Sequence, residues 1–193
     1  MAPSQATQVP NQDWLRTYYF LRFAVSTIWV LLAFTLGRDM PPLASGLLVA
    51  YPAWDALANY LDASRSGGLA GNKSQMLNFV VSIVTAVAVA SALGHGPHEV
   101  LRVFGIWAFL SGLFQLVTGI RRWKAYGAQW AMILSGAQSG LAGIFMLKQA
   151  AGTEAVGIAN IAPYAAFGAF YFLVSAVSLT ISGARRRSKI LAA

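Results

Sequence analysis

Long apolar runs alternate along the chain with short polar, charged or glycine- and proline-rich breaks. Six runs reach about the 20 residues that a helix needs to cross a hydrocarbon core, near 18–37, 41–63, 76–93, 101–121, 130–149 and 163–184. The breaks are helix-stopping or charged clusters: Gly37-Arg38-Asp39-Met40-Pro41-Pro42, Ser64 to Ser74, Gly94 to Glu99, Arg121 to Lys124 and Gly152 to Glu154. Such short connections predict that neighbouring spans form antiparallel hairpins. The expected fold is all-α, a polytopic membrane bundle of six transmembrane helices over 18–184. An N-terminal segment 1–17 and a basic tail 185–193 flank it. The polar start lacks a positive n-region and a small-residue cleavage site, so the first run reads as a retained helix, not a signal peptide.

The arginines at the ends of the even-numbered runs bring out an internal repeat. Fourteen residues before Arg65, Arg121 and Arg185 stand Tyr51, Trp107 and Tyr171; ten before stand Asp55, Ser111 and Ser175, then small Ala56, Gly112 and Ala176. This register predicts three pseudo-repeated helical hairpins. It also aligns polar positions: Asp55, Asn59 and Asp62 share one helix face, and Ser111, Gln115 and Thr118 occupy the equivalent places. Asn78, Ser82 and Thr85 repeat the spacing in the third run, and the fifth offers Ser135, Gln138 and Ser139. Such a face reads either as a hydrated pathway inside the bundle or, more economically, as hydrogen bonding between helices.

Glycines add a packing signal. Gly105, Gly112 and Gly119 recur every seven residues and line one groove of the fourth run; Gly136, Gly140 and Gly143 do so in the fifth. Grooves of this kind let helix backbones approach closely in lipid, where packing must replace the hydrophobic drive.

Composition agrees with the bilayer: 57% of residues are hydrophobic and only 10% charged, against about 25% in soluble chains. The absence of cysteine excludes disulfides and thiolate chemistry. The net charge of +8 is explained by its distribution. Eleven lysines and arginines fall on one side of the expected spans and three, Arg38, Arg102 and Lys148, on the other. Cytoplasmic segments retain positive charge, so both termini are expected in the cytoplasm. A basic excess spread over every inner segment gives no nucleic-acid surface; the expected partner is the lipid bilayer, with a homo-oligomer or a larger membrane complex as further expectations.

Candidate chemistry is sparse. Asp55 is the one carboxylate well inside a span, where a charge costs about 2.5 to 3.5 kcal/mol on insertion scales and demands a partner. Arg22, one turn inside the first span, is the natural one, so the candidate intramembrane polar site comprises Arg22, Asp55, Asn59, Ser111 and Gln115. His95, His98 and Glu99 share one outer loop and form a candidate pH-sensing loop, because imidazole titrates nearest to physiological pH. Two histidines fall short of the three or four ligands a zinc site needs, so neither metal nor cofactor is expected. No hydrolase, nucleotide-binding or metalloprotease motif occurs, which argues against an enzyme.

The stretch Phe104-Gly105-Ile106-Trp107-Ala108-Phe109-Leu110-Ser111-Gly112-Leu113-Phe114 carries a family resemblance, with the basic turn Arg121-Arg122-Trp123-Lys124 and Trp130 after it. Gly140-Leu141-Ala142-Gly143-Ile144-Phe145 and the last helix from Phe167 to Leu179 extend it. Here the chain resembles the HdeD-like family of bacterial membrane proteins, well from about 100 to 184 and weakly before. The first hairpin departs from that family through Asp55, Asn59 and Asp62. The resemblance implies a bacterial inner-membrane protein linked to acid resistance, with no established enzymatic activity and no catalytic residues to carry over. Two other readings stand beside a non-enzymatic structural or stress-response role. One is a small transporter or proton-conducting protein using the Asp55 face. The other is an accessory subunit of a larger complex, suggested by aromatic residues expected to be exposed, Trp29, Trp54 and Phe172.

Overall fold

The computed structural model describes residues 12–122 and 129–191. All of its described elements are helical: α1 (Gln12–Thr35), α2 (Pro41–Ser64), the one-turn α3 (Gly68–Gly71), α4 (Lys73–Ala92), α5 (Pro97–Arg122), α6 (Gln129–Ala150) and α7 (Ile158–Leu191). Residues 1–11 of the expected N-terminal segment, Trp123 and Lys124 of the basic turn and residues 192–193 lie outside the described residues.

Local chemistry sets the helix ends. Prolines open α2 and α5, where the first backbone N–H has no helical partner to lose. Gly67, Gly68 and Gly96 hold φ of +93°, +81° and +107°, values that would strain other residues, and so turn the chain after α2 and before α5. At the start of α7 the Gly157 N–H donates to Asn160 Oδ1 at 2.8 Å, a side-chain cap three residues ahead of the proline that marks the expected start of the span.

Two helices outrun their expected spans by more than one turn. α1 begins at Gln12, not near 18, and α7 runs from Ile158 to Leu191, past 184. Charges end a membrane-crossing run but need not end a helix: Asp13 suits the first turn of α1, and basic residues suit the C-terminal end of α7. Pro163 removes one hydrogen bond from the early turns of α7 without setting its start.

The helix pairing differs from the expected hairpins. Tight packing joins α2 to α4, α5 to α6 and α7 to α1, while α1/α2, α4/α5 and α6/α7 touch far less. Each tight pair therefore joins the second helix of one expected hairpin to the first helix of the next, and the chain's first and last long helices close the cycle. Backbone approach explains the α5/α6 pair. A Cβ on Gly112 would collide with the backbone nitrogen of Gly140 and lie 2.5 Å from the Gly136 carbonyl; one on Gly143 would lie 2.5 Å from the Phe109 nitrogen and 2.6 Å from the Gly105 carbonyl. Gly105 itself faces Leu147, and Gly140 has open space beyond its own Cα. The surroundings of Gly119 lie outside the described residues.

The core is aromatic at its centre. Trp29 and Tyr51 lie 4.7 Å apart between ring centroids, and Trp107 meets Tyr51 and Tyr164 edge-on at 6.0 and 6.3 Å. Pro52 sits inside α2 and cannot donate to the Leu48 carbonyl one turn back; beside that carbonyl, the Trp29 indole donates to the Leu47 carbonyl at 2.7 Å. Outward, Leu31, Val84, Val87, Leu141 and Phe145 are each more than half exposed. Asp13–Thr35, Lys73–His95, Pro97–Val117 and Ile158–Arg185 are long and apolar enough to cross a bilayer. Apolar helices with apolar outer faces fit a multi-pass membrane protein.

Candidate functional site

Arg22 and Asp55 meet between α1 and α2. Arg22 follows Tyr18 by one turn, so its Nη1 donates to the Tyr18 hydroxyl at 3.0 Å, while Nη2 donates to Asp55 Oδ1. The guanidinium lies over the Phe172 ring, 4.2 Å from its centroid, which brings α7 into the site. Asn59 follows Asp55 by one turn, and its Nδ2 donates to Asp55 Oδ2 at 3.1 Å and to the Asp55 carbonyl at 2.8 Å. From α4, the Ser82 hydroxyl donates to the same Oδ2 at 2.7 Å. Donors from three helices thus meet on one carboxylate, and a fourth helix, α7, covers the guanidinium bound to it.

Both charged side chains are largely withdrawn, at 15% and 20% exposure. A buried pair must recover its desolvation cost through mutual attraction and through bonds to its remaining lone pairs and protons. The carboxylate does so: Oδ1 is held by a guanidinium, Oδ2 by a hydroxyl and an amide. The guanidinium is less complete, because its Nε is buried without a hydrogen-bond partner.

One turn beyond Asn59, Asp62 forms a second node. It is 7% exposed, and its oxygens accept from the Trp14 indole at 3.3 Å and from Gln75 Nε2 at 2.8 Å. Arg65 lies over the Trp14 ring at 4.4 Å, so the basic end of α2 is tied to α1 through an aromatic face. Both carboxylates on the polar face of α2 are therefore engaged by α1 and α4, while Asn59 bonds back to Asp55. Trp14, Tyr18 and Gln75 belong to these nodes, yet nothing in the spacing of carboxylates and amides points to them. The i, i+4 relation of Tyr18 to Arg22 is the one available signal.

The other residues singled out in the sequence lie elsewhere. Gln115 is exposed and accepts a long 3.4 Å bond from Ser135, on the α5/α6 pair. Ser111 lies on the same pair's first helix, half-buried, and neither residue is among the partners of Asp55. The α5/α6 and α7 helices carry their own bonds: Ser139 donates to the Ala108 carbonyl at 2.9 Å, and the Tyr171 hydroxyl to Gln138 at 2.7 Å. In the loop after α4, His95 Nδ1 lies 3.0 Å from the Ser91 carbonyl. His98 Nε2 reaches the Glu154 carbonyl at 3.1 Å, and Glu99 pairs with Arg102 at 2.7 Å. The two histidines thus bond to different segments. The aromatic residues expected at the surface are not exposed: Trp29 is 5% exposed, and Trp54 and Phe172 are half-buried. A tryptophan in an apolar run serves the core as readily as an interface. Among the described residues, no three His, Cys, Asp or Glu side chains converge as a metal site would require.

Comparison with known proteins places the middle of the chain. Residues 80–148, roughly a third of the length, match a family described as a short repeat of unknown function, DUF308. No curated protein and no solved structure matches the chain. The matched segment runs from mid-α4 to near the end of α6 and contains the glycine-packed α5/α6 pair. HdeD-like membrane proteins belong to that same short-repeat family. The match and the apolar helices together support a membrane protein of unknown function.

Proposed function

We propose that the chain is a non-enzymatic inner-membrane protein with six spans and both termini in the cytoplasm, with a structural or acid-stress role as the HdeD-like resemblance implies. In this reading the Arg22–Asp55 node is a structural lock. The observation that supports it is the saturation of Asp55: every carboxylate oxygen has a donor, and the donors come from α1, α2 and α4. Proton or solute passage would require Asp55 to exchange these donors for water during each cycle, and the bonding pattern opposes that.

The pairing of α2 with α4, α5 with α6 and α7 with α1 fits three copies of one helix pair arranged cyclically. The alignment of Tyr51 with Trp107 supports the same register, since the two rings meet at the centre.

The stress role is tested by deletion. Loss of the chain should lower survival at low pH, and wild-type protein supplied in trans should restore it. Unchanged survival of the deletion would reject the role. Topology is tested separately, which the absence of cysteine makes simple. Ala70→Cys should be shielded from an impermeant maleimide in intact cells and Thr153→Cys should be labelled; the reverse pattern would overturn the orientation.

A further inference from the structure

A cavity of about 590 Å³ lies at the end of the bundle opposite the start of α1 and the end of α7. It is bounded by the segments that connect α1 to α2, α4 to α5 and α6 to α7, so all three short connections at that end contribute. Its size falls within the range of small-ligand pockets, about 300–1,000 Å³. The walls are mostly apolar, with Leu48, Pro97, Val100 and Ile158 among them.

The polar groups are few, and one of them is charged. Arg38 is the sole charged residue in the lining; its guanidinium rests 5.4 Å from the Phe34 ring centroid and has no ion-pair partner among the described residues. Asp39, Glu99 and Glu154 do not line the cavity. Asn160 also lines it; its Oδ1 accepts from the Gly157 N–H, and its Nδ2 keeps two N–H donors. Ser45 turns its own proton back to the Pro41 carbonyl. α2, α5 and α7, each more than 20 residues long, all begin at the cavity and add positive partial charge. An apolar chamber whose one charge is an unpaired cation complements a ligand with an apolar body and a single negative head.

We propose that this cavity binds an apolar-tailed carboxylate, with the tail between α2, α5 and α7 and the carboxylate at Arg38. The ligand has two sources, a short-chain acid from the aqueous phase or a free fatty acid dissolved in the surrounding bilayer, and the test separates them.

Purified full-length protein in nanodiscs is photolabelled with a diazirine analogue of octanoate, and the labelled peptides are mapped. Label should concentrate in residues 37–48, 93–100 and 155–161. Octanoate should compete and octanol should not. Arg38→Gln, an exposed position, should weaken competition about tenfold, as loss of a charge-assisted contact does. Ala44→Trp should remove the label by filling the chamber. If octanoate competes in zwitterionic nanodiscs, a short-chain acid from water is the ligand; if label enters the site and only oleate added to the bilayer competes, the source is a membrane-dissolved fatty acid. Label spread along outward faces such as Val80 to Val87, or equal competition by octanol, would overturn the proposal.

Discussion

Arg22 and Asp55 stand 33 positions apart on different helices and form an ion pair whose carboxylate is completed by Ser82 from a third helix. In lipid, an isolated charge at that depth would be costly, so the pair and its neutral donors stand or fall together. The same node binds the α1/α7 pair to the α2/α4 pair, because Phe172 covers the guanidinium. Contacts between α1 and α2 are few, and this node shares that boundary with the Trp14–Asp62 and Trp29–Leu47 hydrogen bonds.

Ser82 donates to an ionised acceptor at 2.7 Å and is 1% exposed. Ser82→Ala should therefore destabilise the protein by about 1 kcal/mol, nearer the upper part of the range measured for hydrogen bonds between membrane helices. Ser135→Ala removes only the 3.4 Å bond to Gln115 and should change stability negligibly. Unfolding midpoints in mixed micelles compare the two; equal losses would contradict the special status of Ser82.

The glycines of the α5/α6 seam should respond individually despite their shared spacing. Gly112→Ala places a Cβ against backbone atoms of Gly136 and Gly140 that cannot move aside, and should cost about 1–3 kcal/mol or force the helices apart. Gly140→Ala meets open space and should be neutral or slightly stabilising, since alanine favours the helix. Thermal unfolding of both variants checks this, and the opposite order would show that the seam packs differently.

Trp29 contributes an indole N–H as well as a ring. Trp29→Phe keeps ring packing near Tyr51 but removes the indole's bond to the Leu47 carbonyl, next to the Leu48 carbonyl that Pro52 leaves without a helical donor, at a cost of about 1 kcal/mol. Faster amide exchange in the turn around Leu47 should accompany the loss. Unaltered exchange there would show that the indole bond does not steady the turn.

Much of the helical content was legible because apolar runs and charged breaks are read one segment at a time. Helix ends were less so: the charge clusters mark where a bilayer-crossing run stops, while α1 and α7 continue through Asp13 and Arg185. Pairing was not legible from connections alone, because the α7/α1 contact joins the two extremes of the chain and no loop announces it. The Arg22–Asp55 approach could be anticipated from the scarcity of intramembrane charge. Trp14 could not, since an aromatic side chain in an apolar run reveals its polar atom only when a neighbour's position is known, and for Tyr18 the i, i+4 relation to Arg22 was the one signal. Ser111 and Gln115 share a register with Asp55 and Asn59, yet register conveys position along a helix and not the identity of the facing helix, and Gln115 turns to Ser135.

The most direct test of the lock is a double-mutant cycle on Arg22 and Asp55, with unfolding free energies measured in mixed micelles for Arg22→Met, Asp55→Leu and the double variant. Each single variant strands a buried charge and should lose about 3–5 kcal/mol, whereas the double variant should lose far less than the two losses combined. Strictly additive losses would contradict the account, because they would mean that the two residues stabilise the bundle independently of each other.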